Sequence, residues 1–252
     1  MRKARGTTGS LSRIHVGDTL APGANIALPE AAAHHLSRVL RAAIDARVTV
    51  FGGGVEFEAH ITHIDKHGVT VKLGAGAPVD RESPLPATLV QAISSGDRMD
   101  YTLQKAVELG IAAVQPVYSE RSIVRLDEKR SATRLAHWRQ VAASACEQCG
   151  RNVVPRIAAP LTLIDWFAAL PPVPADALRL LMAPGAARRL PDFSKPAAVL
   201  LLAGPEGGFS DNEIELALQR GFTAVRLGPR ILRTETAALA ALAALNTLWG
   251  DF

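Results

Sequence analysis

LLLAGPEGGFSDNEIEL, residues 200–216, runs from an apolar stretch through a turn of three glycines, a proline and a glutamate into a helical stretch. Ala197 to Ala203 is continuously apolar, as expected of a strand buried on both faces. Ser210 and Glu213 form a capping box, which starts a helix at Asp211, and Gly221 ends it as the C′ residue. The turn therefore lies at the carboxyl end of a parallel strand, where open α/β sheets place their ligands. Gly204, Gly207 and Gly208 are expected to adopt positive φ and let a ligand approach the backbone, with Pro205 stiffening the turn. A Walker A loop needs a lysine after its glycines, and a dinucleotide fingerprint needs G-x-G-x-x-G; neither is present. Glu206 would repel a phosphate and suits a cationic or hydroxyl-bearing ligand. A tight turn with no ligand is the other reading.

Working outward, the same alternation continues on both sides. ATLVQAI (87–93), AAVQPVY (112–118), LRLLMA (178–183) and TAVRL (223–227) read as strands, with a short one near Val154. Helices fall at Asp97 to Leu109, closed by Gly110, at 131–149, at Ile164 to Leu170, and from about Thr234 onward. Strands alternating with helices predict an α/β domain built on a parallel sheet covered on both faces. Before residue 80 the period is different. RVTVFGG (47–53), VEFEAHITHI (55–64) and GVTVKLG (68–74) alternate apolar and polar residues and break at glycines, with one helix at about Glu30 to Ala43. This predicts a small β-barrel-like domain, separated from the α/β domain by the proline- and glycine-rich GAGAPVDRESPLP (74–86).

A second unusual turn follows in LGPRILRTETAALAALAALNTLWG (227–250), where Gly228-Pro229 breaks a strand ending at Leu227. Arg230 and Arg233 sit among Ile231 and Leu232, and Glu235 falls in the first turn of the next helix. Two arginines and a glutamate beside an apolar wall suit the neutralisation and orientation of a substrate; an Arg233–Glu235 pair on the helix end is the other reading. Residues 237–249 are apolar nearly all round, so this helix is buried within the protein or in a dimer interface.

Composition sets outer bounds. The 252 residues suffice for two modest domains, and no apolar run is long enough to span a membrane. Arg2, Lys3 and Arg5 are not followed by an apolar stretch, so a secretory signal is not expected and the cytoplasm is the default location; MRKARGTTGSLS (1–12) reads as an unstructured leader. A net charge of +4 is compatible with a polyanionic partner without identifying one. The two cysteines, Cys146 and Cys149, lack a second ligand pair, so no metal site is expected. Leu135, Trp138, Ala142, Ala145 and Cys149 share a helical stripe, which makes Cys149 a packing residue.

GPEGGFS (204–210) followed by LGPRILRTETA (227–237) resembles the C-terminal signature of the RsmE family, SPOUT-class methyltransferases acting on ribosomal RNA. QAISSGDRMDYTLQKAVELG (91–110), PVYSERS (116–122), EQCGR (147–151) and VPRI (154–157) resemble its middle blocks, and HHLSRVLR (34–41) and FGGG (51–54) its N-terminal domain. Ile14-His15 and Gly52 depart from the aromatic and the aspartate usual there. The resemblance implies a PUA-like RNA-binding β-barrel over 13–80 and a trefoil-knotted SPOUT α/β methyltransferase domain over 86–252. It implies a homodimer that uses S-adenosylmethionine, and no metal, to methylate N3 of a uridine in 16S rRNA, within the small ribosomal subunit.

Three strand-end loops (182–186, 204–208 and 227–233) then surround the cofactor. Met182, Ala183, Gly204, Pro205, Glu206, Gly207, Leu227, Gly228, Ile231, Leu232 and Arg233 are the implied contacts. A sulfonium cation without phosphate agrees with a lysine-free loop that carries a glutamate. Loss of the N3 proton puts negative charge on the ring, which a positioned arginine stabilises; Arg233 is the candidate, with Glu206 or Glu235 as the base. His35, Arg38 and Arg41 at helical spacing, with Arg121, Gln148 and Arg151, are the candidate RNA contacts. The competing classes are a phosphate-binding kinase or dehydrogenase and a non-catalytic RNA-binding protein.

Overall fold

The computed structural model describes residues 12–122 and 128–252, so all of the expected leader but Ser12 lies outside it. Two compact units are present, Met1–Arg81 with Cys146–Val154 and Glu82–Ala145 with Pro155–Phe252.

The first unit contains β1 (Arg13–His15), β2 (Asn25–Ala27), α1 (Glu30–His34), β3 (Arg47–Gly52), β4 (Val55–Asp65) and β5 (Gly68–Pro78). They pair in the order β1-β3-β4-β5-β2, antiparallel except for β1 with β3. The period-two pattern has its expected effect: Val48 and Val50, Phe57, Ala59 and Ile61, and Val69, Val71 and Leu73 all point into one core. Register shifts in β4 between Phe57 and Ala59 and between Ile61 and His63 are bulges, which increase the bend of a long strand. α1 covers this core through Ala33, and the turn that follows it through Leu36. The expected helix to Ala43 stops early, because bonding changes at His35 to a π-turn over His35–Val39, with the Leu40 N–H donating to the His35 carbonyl at 2.9 Å. Arg41, at φ +50°, then leaves the helical path.

The second unit contains β6 (Ala87–Ala92), α2 (Gly96–Glu108), β7 (Ala113–Tyr118), all but the last four residues of α3 (Glu128–Cys149), β8 (Arg156–Ile157), β9 (Leu161–Thr162) and α4 (Leu163–Ala169). β10 (Ala177–Met182), β11 (Ala198–Ala203), α5 (Asp211–Gln219), β12 (Thr223–Val225) and α6 (Thr234–Trp249) complete it. The sheet is parallel throughout, in the order β12-β10-β11-β6-β7-β8, with β9 also on β7. α4 and α5 bury Leu163, Trp166, Phe167 and Ala217 against Leu181, Leu202 and Val90. α6 packs on β6, β11 and α2.

Two expectations need correction. In α3 the fully buried cysteine is Cys146, not Cys149, so the stripe runs Trp138, Ala142, Ala145 and Cys146. The segment Cys146–Val154, expected within the α/β domain, belongs to the first unit. Arg13 Nη2 donates to the Gly150 carbonyl at 3.1 Å and Asn152 Oδ1 at 2.7 Å, and Arg81 Nη1 donates to the Gly150 carbonyl at 2.6 Å. Both arginines also pair with Glu56.

The capping box of α5 forms as expected. Ser210 Oγ accepts from the Glu213 N–H, while the buried Glu213 carboxylate accepts from the Ser210 N–H at 2.9 Å and the Glu120 N–H at 2.7 Å. Glu213→Ala leaves two donors without partners, so urea titration is expected to show a loss of about 2–3 kcal/mol in unfolding free energy.

Candidate functional site

Because β12, β10 and β11 are neighbours and run in the same direction, the loops at their carboxyl ends meet. They enclose a cavity of about 630 Å³, a size suited to a small organic ligand. Every residue expected at the cofactor lines it: Met182 and Ala183 after β10, Gly204 to Gly207 after β11, and Leu227, Gly228 and Ile231 to Arg233 after β12. Glu235 lines it too, from the first turn of α6. No lysine does.

The glycines of the middle loop do different work from that expected. Only Gly208 has positive φ, at +67°. A Cβ on Gly204 would lie 3.3 Å from the Phe209 ring, and one on Gly207 would lie 3.2 Å from Arg121 Cβ. Close packing therefore restricts those two positions. Arg121, expected at the RNA, extends this packing: its Nη1 donates to the Gly207 and Phe209 carbonyls at 3.3 and 3.2 Å, holding the loop from outside.

A buried polar chain ties this loop to the start of α6. The Gln91 side-chain amide, fully buried on β6, donates to the Ala92 carbonyl and to Thr234 Oγ1, each at 3.0 Å. The Thr234 hydroxyl in turn donates to the Gly204 carbonyl. One hydroxyl thus fixes the separation of two cavity walls. Sequence reading did not single out Gln91, because inside an apolar strand it carries no spacing signal.

Glu206 is already engaged within the protein. Its Oε1 accepts from the Ser95 N–H at 3.2 Å, the Ser95 hydroxyl at 3.3 Å and Arg98 Nη1 at 2.9 Å. Burial pushes its carboxyl up, but its own N–H, the Ser95 N–H and the Arg98 guanidinium outweigh this and hold it below the usual range. Glu206 is therefore ionised at neutral pH and a weak proton acceptor. Its Oε2 and that of Glu235 are buried without a hydrogen-bond partner among the described residues. Arg233 is exposed as the N-cap residue of α6, and its side chain pairs with neither Glu235 nor any other described residue. Arg98 and Arg226 are further wall residues that sequence reading missed.

The remaining candidates lie elsewhere. His35 and Arg38 are exposed on the helical surface of the first unit; Arg41 is exposed but off that face. Gln148 is exposed near the end of α3, whereas Arg151 is only 4% exposed, which removes it from the accessible surface. Among the described residues there is no cluster of metal-ligating side chains and no helix long and apolar enough to cross a membrane.

Comparison with known proteins matches both units. Residues 81–246 fit the family model of the RNA methyltransferase domain, and residues 28–74 that of the RNA methyltransferase PUA domain. A ribosomal RNA small subunit methyltransferase E from Neisseria gonorrhoeae, solved bound to S-adenosylmethionine, is 44% identical with a TM-score of 0.86, covering 96% of this chain and 99% of that one. A Legionella pneumophila protein solved with the bound cofactor SAM is 39% identical with a TM-score of 0.89, covering 95% and 98%. The curated ribosomal RNA small subunit methyltransferase E of Buchnera aphidicola from Acyrthosiphon pisum is 30% identical over 96% of this chain and 95% of its own length.

Proposed function

This chain belongs to the RNA methyltransferase family that includes the ribosomal RNA small subunit methyltransferases E, and from that premise we propose that it methylates N3 of a uridine in 16S rRNA of the small ribosomal subunit, using S-adenosylmethionine. The observation that carries the reading is the convergence of three strand-end loops on one lysine-free cavity. The cavity suits this cofactor. Its apolar walls and loop backbone match a nucleoside, and the unpartnered Oε2 atoms of Glu206 and Glu235 match a ligand that carries positive charge and no phosphate. Met182, Ala183, Gly204 to Gly207, Leu227, Gly228, Ile231 and Leu232 would hold it. When bound, it supplies an electrophilic methyl group for transfer to the ring nitrogen.

The chain's own residues supply position and charge. The Gln91–Thr234–Gly204 chain keeps the walls at a fixed separation, so that a base entering the cavity meets a preorganised site. Arg233, with no partner among the described residues, is the cation for the negative charge that develops on the ring. Glu206 holds Arg98, which leaves Glu235 to accept the N3 proton. His35, Arg38, Arg41 and Gln148 present RNA-facing groups on the first unit. A homodimer and a cytoplasmic location complete the reading. The part-exposed apolar side chains of α6, among them Leu239, Leu248 and Trp249, suit a second copy of the chain.

The test incubates the protein with labelled S-adenosylmethionine and undermethylated small ribosomal subunits, then maps the modified base by primer extension. Label on N3 of one uridine is expected. Label on another atom removes the specific assignment, and no transfer to any RNA favours a protein that binds without catalysis.

A further inference from the structure

The cavity wall contains more positive charge than a methyl donor needs. Arg98, Arg226, Arg230 and Arg233 line it, against only Glu206 and Glu235. Arg98 is neutralised by Glu206 at 2.9 Å. Nearby Arg188 is also committed: its guanidinium lies 3.9 Å from the Phe193 ring centroid and donates to the Asp192 carbonyl at 2.9 Å. Arg226 and Arg230 differ. Both are exposed, and neither side chain makes a hydrogen bond or ion pair with a described residue. The Arg226 backbone is nevertheless fixed, its N–H donating to the Arg188 carbonyl at 3.0 Å. Ile231, beside Arg230, is 85% exposed, an apolar surface next to unpaired cations.

S-adenosylmethionine has two cationic centres and one carboxylate, so it adds to this excess rather than offsetting it. Exposed guanidiniums with no partner among the described residues, on the wall of a cavity of about 630 Å³, match a polyanion whose base has entered. We propose that Arg226 and Arg230 form a phosphate-binding rim that grips the backbone of single-stranded RNA on either side of the target nucleotide, with Ile231 as an apolar contact for an unstacked base. This rests on reading the cavity as the place where a methyl donor and an RNA base meet. It assigns part of the RNA affinity to the α/β unit, on residues separate from those of the first unit.

Salt dependence separates phosphate contacts from other contributions. A single-stranded RNA contact contributes about 0.7 to the slope of log affinity against log salt. Fluorescence anisotropy with a short labelled single-stranded RNA, titrated over a range of salt, is expected to give slopes reduced by about 0.7 for Arg226→Ala and again for Arg230→Ala. The corresponding loss of affinity is about fivefold per residue near 0.1 M salt. Arg226→Lys and Arg230→Lys keep the slope, and all four variants keep parental affinity for S-adenosylhomocysteine. A parental slope in the folded alanine variants overturns the proposal. A fall in S-adenosylhomocysteine affinity matching the fall in RNA affinity also overturns it, by assigning the arginines to the cofactor. If the unmutated protein binds RNA with the expected slope but no S-adenosylhomocysteine, the reading of the cavity fails while the rim stands.

Discussion

Arg233→Ala is expected to lower kcat by roughly 10²–10³-fold, the cost of removing one preorganised group from developing charge. Its affinity for S-adenosylhomocysteine should change little. The side chain is exposed and makes no hydrogen bond or ion pair with a described residue, so stability after truncation should stay within about 0.5 kcal/mol of the parent. A role in charge stabilisation also predicts a pH signature. The deficit should shrink as pH rises toward the range in which uracil ionises in solution, because less of the charge separation then falls to the enzyme. Single-turnover rates across pH, alongside calorimetric titration of S-adenosylhomocysteine, separate the two effects. Full activity in Arg233→Ala removes the residue from the mechanism, and a deficit independent of pH assigns it to binding.

Thr234→Val is the second substitution with a large expected effect. Valine fills the same space but has no hydroxyl, so the Gln91 amide loses one of its two close acceptors and the Gly204 carbonyl its close donor, keeping only a 3.5 Å contact from Gln91 Nε2. A buried polar group left unpaired costs about 1–3 kcal/mol. Denaturant titration should therefore show a loss of about that size, and S-adenosylhomocysteine affinity should fall about tenfold or more as the β11 loop and the start of α6 lose their link. Thr234→Ser retains the hydroxyl and should recover most of both. Thr234→Val with parental affinity and stability would falsify a positioning role for this chain. Gln91→Leu probes the same link from β6, where the Thr234–Gly204 bond survives, and its effect on ligand affinity should be smaller.

Much of the site was legible in the sequence because its signals are local. The apolar run at 197–203, the capping box of Ser210 and Glu213 and the terminating Gly221, with φ +80°, lie within one strand–turn–helix unit. Short-range sterics and backbone satisfaction determine such a unit wherever it is placed. Glu206 was legible as a carboxylate in a lysine-free loop, but its engagement was not. Arg98, its ion-pair partner, lies 108 residues away at the start of α2. The burial of Arg151 and the turn at Arg41 were not legible, for related reasons. A guanidinium's burial depends on what packs around it, and a helical face on where the helix stops.

By itself, then, the sequence determined most strands, helices and turns of the α/β unit, and the chemical character of each loop: glycine-rich, lysine-free, with one carboxylate in the middle loop and arginines in the last. Only the tertiary structure decided that β12, β10 and β11 lie side by side, which turns three loops separated along the chain into one cavity. Strand order follows from burying apolar faces of the whole chain at once, and nearly continuous apolar strands carry little local mark of which neighbour each will take. The same packing decided which charged groups neutralise one another and which remain free for a ligand.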